Sequence, residues 1–482
     1  MPINSDITTS FHEESHPTGD LGYALGCSRL PAGVLFKIVQ HQTDKHLLSI
    51  APTRTGKGRG LILPNLLSLP NHSVLVIDPK GENALVSAKY RRDVLGNNIL
   101  IFNPYRIFEK EFDDLGFKQF QTFNPLANLN PESPNFADDV AYIAEALIYE
   151  ETGGDSHWVQ SARGYVEFLI MFLVTDPEEQ ENKTVTLGRL RQIIAGGYSG
   201  LMDKKNGSEM SVLEKAEKSA CPLVQDNAGR YAFESAEVHS LIATAETQTR
   251  LFKSETICSA LKGEKFNFEE MKNRKTSVYL ILPSERLITQ ARYLRLVLLM
   301  AMSQFMRSEK GAHQVVVMLD EFASLGALNI IANGYGLIAG HGVTLWSFVQ
   351  NLTQLQHLYP NNWETFIANS SVVTVSNVND VTTADYFSRR AGQCEREKVT
   401  HNNVGNSCLD PGGNTYYPHS TASITMAWEN SLPVSKLYDA FSDDLYLFYG
   451  GQSMPTKCQK ILYDKDMPFK ERAAPNPMNV PY

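Results

Sequence analysis

The segment Ala51-Pro52-Thr53-Arg54-Thr55-Gly56-Lys57-Gly58 combines glycines, small polar residues and one lysine. Such a loop binds phosphate when it lies between a strand and a helix. Its backbone N–H groups then point at anionic oxygens, and Lys57 adds a point charge. The match to G-x-x-x-x-G-K-[ST] is imperfect. Ala51 replaces the first glycine, and Gly58 replaces the hydroxyl residue that normally holds magnesium. A second group lies far downstream. Val315-Val316-Val317-Met318-Leu319 is an apolar run ending in Asp320-Glu321. There Asp320 would hold the magnesium, directly or through water. Glu321 would orient and deprotonate an attacking water. Alone such a run is a weak signal; with a phosphate loop in the same chain it implies a nucleoside triphosphate site. Gln350 closes another apolar run, Val343–Val349. An amide there can hydrogen-bond the terminal phosphate or the water; the bland alternative is an ordinary polar strand end.

The missing hydroxyl at Gly58 leaves two solutions. A water takes its place, or Thr55 lies closer than usual. Magnesium keeps several waters readily, so one lost ligand need not abolish binding. The opposing reading is a degenerate site that does not hydrolyse; the intact Asp320-Glu321 pair argues against it.

These residues need elements to position them. Leu47–Ile50 reads as a short buried strand before the loop, and Gly60–Leu63 can start a helix after it. Ser73–Ile77 is a continuous apolar run closed by Asp78-Pro79-Lys80-Gly81-Glu82, and Asn98–Phe102 repeats the form. Runs closed by polar turns are how parallel strands deliver residues to their carboxyl edge. Strands alternating with helices argue for an α/β fold with a parallel-rich sheet. The pattern changes near residue 126. Val140, Ile143, Ala144, Leu147 and Ile148 fall on one helical face, as do Trp158, Ala162, Tyr165, Val166, Leu169 and Leu173. Residues 126–270 therefore read as an all-helical insertion. It accounts for most of the more than 250 residues between Lys57 and Asp320. The α/β pattern then returns: Ser277–Leu282 is a strand ending in Pro283–Arg286, a long helix follows over Leu287–Met306, and further strands end at Leu319, Val349 and Val375. The nucleotide-binding domain is thus discontinuous, 21–125 and 271–472. Residues 1–20 read as a flexible N-terminus, 393–430 as a long loop or irregular hairpin, Tyr446–Gly451 as a late strand with a turn, and 473–482 as an extended tail.

Bulk properties set limits. At 482 residues and 43% hydrophobic content the chain is long enough for two or three cores. Its net charge of −9 is wrong for a protein that coats nucleic acid, so any DNA contact must be local. The six cysteines are scattered without a C-x-x-C pair, which fits free thiols in a reducing compartment and offers no zinc-ligand spacing. No stretch has 18 apolar residues in a row; Tyr165–Val174 and Leu294–Met302 read as buried helices. Met1–Pro17 lacks the layout of a signal peptide. On these grounds the chain reads as soluble and cytoplasmic.

Ala51–Gly60 (APTRTGKGRG), Val76–Glu82 (VIDPKGE), Thr244–Ser254 (TAETQTRLFKS), Val278–Leu287 (VYLILPSERL), Leu319–Gly326 (LDEFASLG), Val349–Gln356 (VQNLTQLQ) and Asn362–Asn369 (NWETFIAN) resemble the TraG/TraD-type coupling proteins of conjugation and type IV secretion. The likeness runs from about residue 47 to 390, in the same order. The helical insertion sits where that family has its all-alpha domain, and the family's branch commonly carries the same variant loop. The resemblance implies a RecA-like ATPase related to the FtsK and HerA pumps, working with ATP and Mg2+. It implies a ring-forming homo-oligomer, a hexamer, at the inner face of the bacterial inner membrane. The implied partners are a relaxase–DNA complex or protein effectors, and the secretion channel. Carried over, Thr53, Arg54, Thr55, Gly56, Lys57, Gly58 and Arg59 bind the phosphates, Asp320 the magnesium, Glu321 is the base and Gln350 the sensor. Asp78, Lys80 and Glu82 mark a second motif at the same crevice, with a salt-bridged turn as the plainer alternative. A ring ATPase also needs a cation from the neighbouring subunit. Arg286, Arg389 and Arg390 are candidates, Arg286 first because it ends a core strand; a solvated surface arginine is the competing reading for each.

One departure is large. Family members usually begin with transmembrane helices, and this sequence has none before its phosphate loop. Either the sequence is part of a longer chain, or the protein borrows its anchor from a partner; the polar first residues favour the partner. The leading function is an ATP-driven motor delivering a DNA–protein or protein substrate. The alternatives are a nucleotide-regulated platform that recruits protein cargo without pumping DNA, and an inactive scaffold subunit. In the insertion, His157, Trp158 and Arg163 offer a cargo or channel-lining surface, although a tryptophan on an apolar helical face more often belongs to a core. In 393–430, His401, Tyr416, Tyr417 and His419 offer a contact loop or a plain surface excursion.

Overall fold

The computed structural model describes residues 22–29, 35–149, 156–202, 210–404, 408–409, 411–413, 415–416, 419–438 and 443–478. Residues 1–20 and 479–482 lie outside the described residues. In chain order the strands are β1 (Tyr23–Arg29), β2 (Leu35–His41), β3 (His46–Ile50), β4 (Ser73–Asp78), β5 (Asn98–Phe102), β6 (Thr276–Ile281), β7 (Val315–Leu319), β8 (Val343–Val349), β9 (Ser370–Val375), β10 (Gln393–Val404), β11 (Cys408–Leu409), β12 (Thr415–Tyr416), β13 (His419–Asn430), β14 (Asp444–Tyr449) and β15 (Thr456–Gln459).

Eleven of them make one sheet, ordered β2-β1-β15-β14-β9-β3-β8-β7-β4-β6-β5. From β9 to β5 every neighbour is parallel. Every residue of β3, β4, β6, β7 and β8 is buried. Strands covered on both faces carry few polar residues and no polar/apolar alternation, which is why they read as largely apolar runs. Successive side chains still point to opposite faces. Leu48, Ile50, Leu75, Ile77, Val317 and Leu319 join one core, whereas Leu47, Val74, Val76, Met318, Trp346 and Phe348 join the other. The fold is therefore an α/β arrangement of a large, parallel-rich sheet between helical layers.

Strand order places the chemistry. β8 lies between β3 and β7, and all three point the same way. Their carboxyl ends carry the glycine loop, Gln350 and Asp320-Glu321. Gln350 thus falls between the other two groups.

Between Phe102 and Thr276 every regular element among the described residues is a helix or 3-10 turn. The chain leaves the sheet and returns to it at one place. Phe123 and Phe266 both pack edge-on against Phe102, 5.7 and 5.4 Å between centroids. Phe123 N donates to Ala260 O, and Asn124 N to Glu264 O, at 3.0 Å each. Side-chain caps start several of these helices: Asp176, Thr186, Ser211, Ser235 and Ser254 each accept an N–H three residues on, and Ser211 with Glu214 forms a capping box. The helices share one apolar core with the sheet face they cover. Among the described residues no helix is long and apolar enough to cross a membrane.

Of the two readings of 393–430, a long loop or an irregular hairpin, a hairpin forms and its ladder is regular: β10 and β13 pair antiparallel without a break from Gln393↔Asn430 to Val404↔His419. The Asn- and Gly-rich sequence between them dominates the composition and hides β-formers such as Val399, Thr400 and Ile424. β1, β2 and β15 extend the sheet with antiparallel strands that the sequence pattern does not announce. Its edge strand β2, LFKIVQH, mixes polar and apolar residues and carries no clean period. The tail is anchored as far as Asn476: Ala474 N donates to Val86 O at 2.9 Å, and Asn476 Nδ2 to Glu82 Oε1 at 2.7 Å.

Asn65, fully buried behind the glycine loop, joins the following helix to the extension. Its Oδ1 accepts from Ala24 N at 2.9 Å, and its Nδ2 donates to Ala24 O at 2.8 Å and Leu61 O at 2.7 Å. Asn65→Leu strands the buried Ala24 N–H and carbonyl, each worth about 1–3 kcal/mol when left unpaired. The expected outcome is a lower urea midpoint with an unchanged slope; a midpoint equal to wild type would show that this bond set does not hold the extension.

Candidate nucleotide site

Lys57 is the centre of the site. It caps a short helical segment, Gly58–Ile62 followed by Leu63–Leu66, and its side chain is buried. Its Nζ donates to Ala51 O at 2.9 Å, which folds the side chain back over the loop. Two backbone reversals shape the loop: Arg54 at φ 62° and Gly56 at φ 83°. A side chain at Gly56 or Gly58 would meet no other atom within 4 Å, so the glycines border open space. Thr55 Oγ1 donates to Pro52 O at 2.7 Å. That bond ties the Thr55 hydroxyl to the loop and favours a water in place of the hydroxyl missing at Gly58. Thr53 and Arg54 are exposed.

Arg59 is tied to the C-terminal part of the chain. Its guanidinium makes a two-bond pair with Asp464, Nε–Oδ1 and Nη2–Oδ2 both 2.7 Å. The pair uses two of the five guanidinium N–H groups. Lys460 was not found from the sequence. Its Nζ donates to Thr55 O at 2.9 Å and to Asn377 Oδ1, and burial holds its ammonium down at about 8. Asn377 follows β9, and Lys460 follows β15, more than 400 residues from the loop. No local pattern announces such a contact.

Across the edge, Glu321 caps a 3-10 turn, Phe322–Leu325, with φ 53°. Its N–H donates to Asp320 Oδ1 at 3.0 Å. Gln350 Nε2 donates to Glu321 Oε2 at 3.2 Å, and Gln350 N donates to Gln354 Oε1 at 2.9 Å. The structure therefore joins the residues read as sensor and base. Electrostatics tie in the rest. Burial lowers the Lys57 ammonium's proton affinity, and Glu321 and Asp320 raise it again. Burial, with repulsion from Glu321, pushes the Asp320 carboxyl up to about 6, against the pull of Lys57.

Asp78 lies in the same field. It is buried, and its Oδ2 accepts from Ala84 N at 2.9 Å. Burial pushes its carboxyl up to about 7, helped by Asp320 and Glu82. Lys80 is exposed, and Glu82 accepts from Asn476, so a salt-bridged turn does not describe this motif. Arg286 ends the turn Ser284–Arg286 and is exposed, 5.8 Å over the Tyr105 ring. It stands outside the hydrogen-bonded group of Glu321 and Gln350. Arg389 is exposed, and Arg390 is half-buried, 5.8 Å over Phe448. Trp158 is half-buried beside exposed His157, so it is not a core residue. The side chains of His401, Tyr416, Tyr417 and His419 lie outside the described residues.

A magnesium nucleotide fits this donor set. Magnesium is normally held by one or two carboxylates together with phosphate oxygens and water. Asp320 at the strand end, a glycine loop open to solvent and a buried lysine meet that need. Among the described residues no group of three or more His, Cys, Asp or Glu is arranged to hold a metal ion.

The fold and this edge define a RecA-like phosphate-loop protein. The chain belongs to the family described as type IV secretory system conjugative DNA transfer, whose model matches residues 21–421. A conjugal transfer protein TraG of Escherichia coli is 24% identical over 393 residues, covering 78% of this chain and 59% of that protein. Protein VirD4 of Agrobacterium fabrum is 25% identical over 353 residues, covering 72% and 49%. The chain thus spans less than two thirds of the length of these relatives. Among solved structures, the bacterial conjugative coupling protein TrwBdeltaN70, unbound, superposes with a TM-score of 0.62 at 14% identity, covering 87% of this chain and 85% of that one. Plasmid coupling protein TrwB in complex with ADP and Mg2+ gives 0.60 at 13% identity, covering 87% and 85%.

Asp78 and Asp320 both bind a proton more tightly in the folded chain than in the unfolded one. The stability they contribute is complete below about pH 4 and is lost as pH rises through about 6 and 7. In nucleotide-free protein, the fall in urea midpoint between pH 5 and pH 8 is expected to be smaller in Asp78→Asn than in wild type. An equal fall in both would remove Asp78 from this account.

Proposed function

We propose that this chain is an ATP-hydrolysing coupling protein that delivers a DNA–protein or protein substrate to a type IV secretion or conjugation channel. The hydrogen bond from Gln350 Nε2 to Glu321 Oε2 carries the reading. An inactive scaffold has no need to hold a strand-end amide against a carboxylate whose backbone is in the left-handed region. The reading draws support from the names of the relatives and from the ADP and Mg2+ reported for TrwB.

In this reading the backbone N–H groups of residues 53–59 and Lys57 hold the phosphates. Asp320 holds a magnesium ion, which offsets charge on the phosphate oxygens when bound. Glu321 Oε2 is held by Gln350, which leaves Oε1 to orient a water and accept its proton. Gln350 ends the strand between those of the loop and the base and already holds Glu321, so it is read as the residue that registers the terminal phosphate. Arg286, exposed at the end of its turn, is our first candidate for the cation that a neighbouring copy in a ring would receive.

The net charge of −9 favours a second reading, a platform that recruits protein cargo without pumping DNA. DNA-stimulated turnover separates the two: stimulation supports the motor, and cargo capture without it supports the platform.

Purified protein is expected to hydrolyse ATP with magnesium. Glu321→Gln should reduce turnover by about 10²–10⁴-fold, the usual contribution of a general base, while still binding a fluorescent ATP analogue. Lys57→Ala should lose both turnover and binding. Wild-type turnover in both variants would sink the assignment.

A further inference from the structure

Glu321 occupies a backbone conformation that a glutamate adopts only at a cost, so its neighbours must hold it there. Ser324 closes the near side of the following turn: its N–H and its hydroxyl both donate to Glu321 O, at 2.8 and 2.7 Å. The far side ends at Gly326, φ 70°, and is closed from outside. Arg295, buried in the helix Leu287–Arg307, donates from Nη1 to Leu325 O at 2.7 Å and to Ala327 O at 2.8 Å. One nitrogen therefore staples both sides of Gly326.

The arginine is itself held from the helical layer. Its guanidinium carbon lies 3.9 Å from the centroid of Tyr149, and that of Arg292 lies 4.6 Å from the same ring. Tyr149 follows the helix Phe136–Leu147. Gln248, at the end of the helix Ala236–Gln248, fixes its backbone: Nε2 donates to Tyr149 O at 3.1 Å, and Tyr149 N donates to Oε1 at 3.4 Å. Arg292 Nη2 donates to that same Oε1 at 2.8 Å. The Arg295 Nε–H is buried with no hydrogen-bond partner, a cost that an aliphatic side chain filling the same space would avoid. What the arginine supplies is its hold on the two turn carbonyls.

We infer that Arg295 is a positioning residue for Glu321 and that Tyr149 sets where Arg295 lies, so that the helical layer governs the position of the base. The inference rests on the reading of Glu321 as general base. It gives the insertion a mechanical route to the nucleotide edge: Gln248, Tyr149, Arg295, the Phe322–Gly326 turn, Glu321. A shift of the helical layer reaches the carboxylate through one aromatic ring.

Tyr149→Leu removes the ring without touching the turn, and Tyr149→Phe keeps it. Amide hydrogen exchange over residues 321–327 of the full chain needs no nucleotide. It should quicken about tenfold in Tyr149→Leu and in Arg295→Gln and stay at the wild-type rate in Tyr149→Phe. Unchanged protection in Tyr149→Leu overturns the inference, whatever the enzyme does. In single-turnover ATP hydrolysis, Tyr149→Leu should lower the rate about ten- to a hundredfold without weakening nucleotide binding. It should add nothing further in a Glu321→Gln background, because the ring acts through Glu321. Additive losses in that double variant would also overturn the inference. If the wild type hydrolyses no ATP, the general-base reading fails, and hydrogen exchange alone still decides whether the clamp exists.

Discussion

A buried lysine ammonium governs the rest of this structure. Taking such a charge out of water is expensive unless it is paired and hydrogen-bonded. Lys57 meets that demand with the carbonyl of Ala51 and with the fields of Asp320 and Glu321. Those partners come from two strands, β3 and β7, that are not neighbours. They meet only if β8 lies between them, all three run parallel, and Ile50 pairs with Val349 while Leu319 pairs with Ser347. A slip of one residue would exchange the two faces of a strand and separate the charges. The apolar runs supply the sheet, and the charges at its edge are consistent with a single register.

The C-terminal part of the chain fixes the other side of the loop. After β15 the backbone passes beside the glycine segment, and Lys460 and Asp464 bond to Thr55 and Arg59. The antiparallel strands that bring them there are thus more than an extension of the sheet. They convert a loop that glycine would leave mobile into one held at both flanks.

The central strands were legible in the sequence because both their faces are buried, and such strands contain few polar residues to blur the pattern. Asp320, Glu321 and Gln350 were legible for a related reason: polar residues that end apolar parallel strands gather at one edge. The contact between Glu321 and Gln350 follows from strand order. What was not legible depends on long-range pairing. β1, β2 and β15 become strands because partners far away in sequence complete their ladders, and Lys460 lies more than 400 residues from the carbonyl it holds. Arg59 is legible as a loop residue, but its partner Asp464 lies outside any motif. Arg295 sits mid-helix in a run of leucines, where nothing local tells a staple from a chance polar residue.

The most direct test of the account is an experimental structure with a non-hydrolysable ATP analogue and magnesium. The account predicts the terminal phosphates against the N–H groups of residues 54–58, Lys57 Nζ moved from Ala51 O onto a phosphate oxygen, and the metal beside Asp320 with water where a hydroxyl would stand. An analogue bound elsewhere, with Lys57 still on Ala51 O, would contradict it.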